Sequence, residues 1–305
     1  MEFLSDSVIQ LDSFITLTLG IIVLFIGIKI TARIRFLQKY NIPEPVTGGI
    51  FASLAALALY LVGGWEVEYD LFTRDVFLIY FFTAIGINAR IAQLLSGGKP
   101  LLLLLGLTLT YLVIQDTVGY FSALAIGQPG GVGLLVGSAA LAGGHGTAIA
   151  WAPTIAEAQG VTNALEIGVA AATIGLVIAS LIGGPIASFL LSRHKLESEE
   201  DSKLLVGIEY DKEERTSITH LNIMGSILII HVAMIFGYML NEILAEMGLN
   251  LPLFVYCMMI AIFMTNTIPK LFKKVSWPAG SNALAIKSDF SLGLLIALSL
   301  MGLQL

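Results

Sequence analysis

Five consecutive residues, Gly143-Gly144-His145-Gly146-Thr147, are of types that can build a small-ligand site without a nucleophile. Glycine lets backbone groups approach a ligand with no side chain in the way. In a broken membrane helix, such amides suit a substrate carboxylate and such carbonyl oxygens suit a cation such as sodium. The alternative is that these glycines serve only close helix packing. His145 could bond a substrate, carry a proton or be a polar residue satisfied locally. Thr147 and Thr154 add hydroxyl oxygens, although in membrane helices such groups often bond their own backbone.

Gln115 and Asp116 lie together inside a long apolar run. An ionisable group at such a place is costly and therefore a functional candidate by default. Cation coordination, proton coupling and simple solvation near the outer interface are all open for Asp116. For Glu44, Asn88, Asn163 and Glu166, interfacial solvation is the default reading. Enzyme chemistry has no foothold: there is no HExxH or GxSxG pattern, and the four histidines lack zinc spacing. The single cysteine, Cys257, excludes an internal disulfide and reads as a small packing residue. No cofactor and no nucleic-acid partner are expected, and the only metal would be a cation such as sodium held by backbone oxygens.

The elements that must position these residues are membrane helices. The 305 residues are 56% hydrophobic and 12% charged, with a mean hydropathy of +0.88, far from the roughly quarter-charged mix of a soluble domain. Apolar runs long enough to cross a hydrocarbon core of about 30 Å predict spans near 14–31, 45–62, 76–92, 100–126, 165–191, 221–240, 251–268 and 283–305. Glu2, Asp6 and Asp12 precede the first run in place of a basic segment, so that run reads as a retained helix. Residues 130–153 are apolar but broken by glycines and end at Trp151 and Pro153, which predicts a re-entrant segment. With the N-terminus outside and this segment returning to its own side, only Arg74 of the sixteen Lys and Arg falls outside. The charged stretch 192–220 is then a cytoplasmic linker between residues 1–191 and 221–305.

The two units repeat. Ile42-Pro43-Glu44-Pro45-Val46 opens the second span and Leu251-Pro252-Leu253-Phe254-Val255 the seventh. Thr83-Ala84-Ile85-Gly86-Ile87-Asn88 ends the third, and Ser299-Leu300-Met301-Gly302-Leu303-Gln304 the eighth. Each copy has an odd number of crossings, so the two face opposite ways, as in inverted-repeat transporters with alternating access. The second copy lacks counterparts of the fourth span, the re-entrant segment and the fifth span, so it reads as incomplete and the chain as truncated. In the fifth span, Gly168, Ala172, Gly175, Ala179 and Gly183 form a small-residue stripe suited to close helix contact.

The segments IPEPVTGG at 42–49, FFTAIGIN at 81–88, GGHGTAIAW at 143–151 and IGGP at 182–185, with the LPLFV and LMGLQL segments, resemble the bacterial sodium/glutamate symporter family. The resemblance runs through the whole chain in order. It implies an all-α polytopic membrane protein, an inverted-repeat secondary transporter that takes up L-glutamate with sodium across the bacterial inner membrane, as a homodimer. It also implies that Gly143, Gly144, His145, Gly146 and Thr147 form one loop's share of the substrate and ion site, with Gln115 nearby. Asp116 departs from the family pattern, which leads one to expect an amide after the glutamine. A carrier of another small dicarboxylate anion and a non-transporting membrane protein are the alternatives.

Overall fold

The computed structural model describes residues 8–39, 42–194, 219–249, 251–272 and 277–303. Glu2, Asp6, nearly all of the 192–220 linker, Lys273, Lys274 and Gln304 lie outside these. A strand β1 (Val8–Leu11) is followed by α1 (Ser13–Arg33), α2 (Arg35–Lys39), α3 (Glu44–Gly63), β2 (Glu66–Tyr69), α4 (Phe72–Asn88), α5 (Ile91–Ser96) and α6 (Gly98–Ala125). Then come α7 (Gly130–Leu134), a π-helical turn (Leu135–Ala139), α8 (Gly144–Gln159), α9 (Ala164–His194), α10 (His220–Glu246), α11 (Leu253–Leu271) and α12 (Asn282–Met301).

Six of these helices, α1, α3, α6, α10, α11 and α12, are long and apolar enough to cross a membrane. The two other expected spans correspond to α4, of 17 residues, and α9, of 31. Several boundaries differ from expectation, α10 for instance running to Glu246 rather than 240, and two of them have a cause visible in the contacts. The third span stops at Asn88 rather than 92 because Asn266 takes up the backbone beyond it, accepting from Ile91 N and donating to Ala89 O. The helix after the glycine-rich turn passes through Pro153 to Gln159 and ends at Gly160, whose φ is 65°. The amide lost at proline is offset by apolar packing of Ala152, Ile155 and Ala156 with Leu135, Val161 and Ala164. Among the described residues the fold is otherwise helical, with one addition: β1 and β2 pair in parallel, Val8 opposite Glu66 and Leu11 opposite Tyr69.

The prolines set where two helices begin. Pro43 precedes α3 with φ −60° and ψ 140°, and Pro252 precedes α11 with φ −59° and ψ 142°. Each carbonyl accepts from the amide three residues on, Val46 and Val255. Such fixed φ values suit a helix start, where the missing amide has no intrahelical partner to lose.

The contacts among six helices also come in pairs. α1 packs on α3 as α10 packs on α11; α4 on α11 as α12 on α3; α1 on α12 as α10 on α4; and α4 meets α12. Backbones touch at matching places. A Cβ on Gly48 would lie 2.2 Å from Val23 O on α1, and one on Gly237 in α10 would lie 2.6 Å from Cys257 Cα on α11. The centre is α12, where 67% of the apolar window is buried, against 0% for α6. Alongside lies a second group: α6 packs on α7 and the π turn, α9 on α8, and α8 reaches α12.

Candidate functional site

The glycine-rich segment is a helical hairpin with a broken tip. Its first limb passes from α7 into the π turn, a form of helix that recurs at functional places, and Gly137 leaves helical geometry at φ −80°, ψ −122°. Ser138 O accepts from both Ala142 N and Gly143 N, closing the limb. Gly144 then takes φ +73°, a conformation that favours glycine, and the second limb starts. Nothing lies within 4 Å of where a Cβ on Gly144 would stand. Its backbone therefore faces open space.

That space is a cavity of about 540 Å³ lined by Gly143, Gly144, His145 and Gly146 from the tip. Gly175 and Ala179 of α9, Pro43 and Pro45 at the start of α3, and Asp289, Leu292 and Gly293 of α12 complete much of its wall. His145 is buried, and its Nε2 lies 3.0 Å from Thr173 Oγ1 on α9. Thr173 spends its one proton on Val169 O at 2.9 Å, so the imidazole Nε2 must be the donor and Nδ1 is left as acceptor in the neutral ring. Gly146 turns toward α12 and α4: a Cβ there would lie 3.3 Å from Leu292 Cδ1 and 3.5 Å from Phe81 Cε1.

A second cavity, of about 400 Å³, lies on the α6 side of the same tip, lined by Asp116, Ser138, Thr147, Trp151, Ala142 and Gly143 among others. Asp116 Oδ1 accepts from Ser138 N at 3.0 Å, and Oδ2 accepts from Ser138 Oγ at 2.8 Å. The carboxylate is thus tied to the break in the first limb. The Oε1 of Gln115 is buried with no hydrogen-bond partner, and Gln115 is not among the residues lining either cavity.

Of the expected residues, Gly143, Gly144, His145 and Gly146 share the larger cavity, and Gly143, Thr147 and Asp116 the smaller. Asn88 is occupied elsewhere, its Oδ1 accepting from Gly280 N at 2.9 Å. Asn163 and Glu166 line a separate pocket of about 400 Å³ at the base of the hairpin. The small-residue stripe of α9 meets the hairpin in its first half: Gly168 faces Ala148, and Gly175 faces Leu141. Three residues escape sequence reasoning. Ser138 and Thr173 carry no signal beyond being hydroxyls, but Asp289 is an acid inside the eighth expected span, and the rule that picked out Asp116 applies to it equally.

A bundle of apolar helices long enough to cross a bilayer several times, with a glycine-broken hairpin lining an internal cavity, defines a polytopic membrane transport protein. Similarity to known proteins narrows the class. A family model described as sodium/glutamate symporter matches residues 9–305. A curated sodium/glutamate symporter of Escherichia coli (strain K12) is 36% identical over 298 residues, covering 97% of this chain and 73% of the relative. One of Shigella flexneri gives the same values, and one of Haemophilus influenzae is 34% identical over 294 residues, 95% of this chain and 72% of the relative. No solved structure matches. The chain belongs to the sodium/glutamate symporter family, whose members are transporters and not enzymes.

Proposed function

We propose that this protein takes up L-glutamate together with sodium across the bacterial inner membrane by alternating access. The observation that carries the reading is Gly144, whose backbone stands at positive φ with nothing beside it, in the wall of a cavity of about 540 Å³. In a member of this family, such a place suits a substrate carboxylate bound by backbone groups. The substrate and ion site comprises Gly143, Gly144, His145, Gly146 and Thr147 with Asp116, and with Gln115 beside it outside both cavity walls, sodium being a co-substrate.

The matched helix pairs, and the near-identical Pro43 and Pro252 starts, support two oppositely directed copies of a three-helix unit. The hairpin limbs support a re-entrant segment: Gly130–Ala139 and the 16-residue α8 both fall short of the about 20 residues a crossing needs. With the N-terminus outside and the linker cytoplasmic, Pro43 and Asn282 start their helices at the inner face, so the larger cavity opens toward the cytoplasm. The family resemblance further supports a homodimer, which the mass of the purified protein in detergent tests.

The deciding experiment is uptake of labelled L-glutamate by proteoliposomes containing this protein, with and without a sodium gradient. Accumulation that collapses when the gradient is dissipated is expected. Uptake indifferent to sodium, or none in folded and correctly oriented protein, overturns the reading.

A further inference from the structure

Helix α12 is the most enclosed of the spanning helices, yet Asp289 near its middle is exposed. Asp289 lies seven residues after Asn282, about 10 Å along the axis, and lines the larger cavity together with the glycine-rich tip. Apart from His145, every other side chain in that lining is apolar, or the residue is glycine or proline. Asp289 therefore places the one formal charge in the wall.

Among the described residues, no ion pair neutralises that charge, the only one being Arg74 with Asp75. Lys287, two residues away, donates its ammonium to Ile223 O on α10 instead. A lone carboxylate inside a spanning helix is costly unless a cation meets it, and such groups mark substrate or ion pathways.

Two kinds of cation could do so, and the surroundings favour one. A sodium ion needs several oxygen ligands close together, and apart from the backbone oxygens of the glycine-rich tip the larger cavity offers no hydroxyl or side-chain amide to join Asp289. The hydroxyls of Ser138 and Thr147 lie in the other cavity, with Asp116. An organic ammonium needs fewer acceptors, and the carbon chain it is attached to is at home against Leu292, Ile296 and Phe81.

We infer that Asp289 receives the α-ammonium group of an amino-acid substrate, so that the cavity selects an amino acid over a dicarboxylate of the same length without the amine. This rests on the proposed glutamate transport. The substrate carboxylates then fall to the open backbone at Gly144 and to the glycine-rich tip. A salt-linked hydrogen bond of this kind is worth about tenfold to a hundredfold in affinity.

The test is sodium-dependent binding of labelled L-glutamate to the purified full chain, with unlabelled glutarate and N-acetyl-L-glutamate as competitors, for wild type and Asp289→Asn. The wild type is expected to bind both competitors, one lacking the amine and one with it acylated, at least about tenfold more weakly than glutamate. Asp289→Asn is expected to lose glutamate affinity by that factor while glutarate affinity and the sodium half-saturation stay put. Equal losses for glutamate and glutarate, a shifted sodium half-saturation with the glutamate preference intact, or no change at all overturn the inference. If Asp289→Asn does not fold, the wild-type competition decides: glutarate binding as well as glutamate refutes it. Absence of any sodium-dependent glutamate binding in folded wild type refutes the transport reading itself, whereas intact binding with an unaffected variant refutes only the role of Asp289.

Discussion

Asp116 on α6 holds Ser138 with both carboxylate oxygens, one on the backbone amide and one on the hydroxyl, where the first limb of the hairpin leaves helical geometry. The acid that sequence alone offers as an ion ligand or proton carrier therefore also positions the tip. It can do both, because it borders a cavity that Thr147 shares. Replacing Asp116 with Ala leaves the Ser138 amide without its acceptor, at a cost of about 1–3 kcal/mol. Asn keeps one acceptor oxygen. Initial uptake rates and detergent melting temperatures are expected to fall in the order wild type, Asp116→Asn, Asp116→Ala. An alanine variant matching wild type in both would show that the tip is held some other way.

Two glycine substitutions separate the site from the scaffold. At Gly144 an alanine methyl meets only empty cavity, so the cost is confined to the left-handed backbone, about 1–2 kcal/mol. Gly144→Ala should insert normally and bind glutamate weakly. At Gly48 the methyl would stand 2.2 Å from a backbone oxygen of α1, and backbone cannot step aside as a flexible side chain can. Gly48→Ala is expected to melt well below wild type in detergent. A stable Gly48→Ala protein would mean that α1 and α3 can separate without harm.

Much of the scaffold is legible in the sequence because its signals are local. Apolar length marks the helices, and an aliphatic-Pro-x-x-Val opening marks the starts of both α3 and α11. The broken hairpin is legible through its glycines, yet its far end is misplaced because Pro153 reads as a stop, while the packing that carries the helix through it involves residues on three separate segments. The site is legible only in part. Asp116 stands out as an acid among apolar residues, but its partner Ser138 lies 22 positions away in sequence, and no local pattern links them. Likewise the pairing of β1 with β2 spans the whole of α1 and α3.

The β1–β2 end of the bundle carries a pH dependence whose sign follows from its contacts. Asp70 accepts from the Ser13 hydroxyl and from Phe72 N, and these bonds hold its carboxyl below the ordinary Asp value of 3.8. A depressed folded-state value means stabilisation that is present above the ordinary value and lost as pH falls through the lower, folded one. The protection of the Val8–Leu11 amides against hydrogen exchange, taken relative to the free-peptide rate at each pH, is therefore expected to be flat through neutral pH and to fall only below about pH 4. Asp70→Asn should remove the acid-dependent part. Protection in β1 that falls equally with acid in wild type and Asp70→Asn would show that this tie does not govern it.

The last prediction concerns how His145 is held. The Thr173 hydroxyl has one proton and gives it to Val169 O, so it can only accept from the imidazole. That fixes His145 with Nε2 protonated and Nδ1 as an acceptor, and it fixes the ring's orientation. Thr173→Val keeps the shape of the side chain but deprives the buried Nε2–H of its acceptor, a loss of about 1–3 kcal/mol. The ring can then recover a bond only by turning away from its place in the cavity wall. Uptake is expected to fall by about fivefold to a hundredfold, the equivalent of that loss, with insertion unaffected, and Thr173→Ser, which restores the hydroxyl, should recover most of it. A merely structural role for Thr173 predicts something different: valine packs as well as threonine, so uptake would survive and serine would be the worse substitute. The rank order of valine and serine in the same uptake assay therefore separates a histidine oriented for the substrate from one that only fills space.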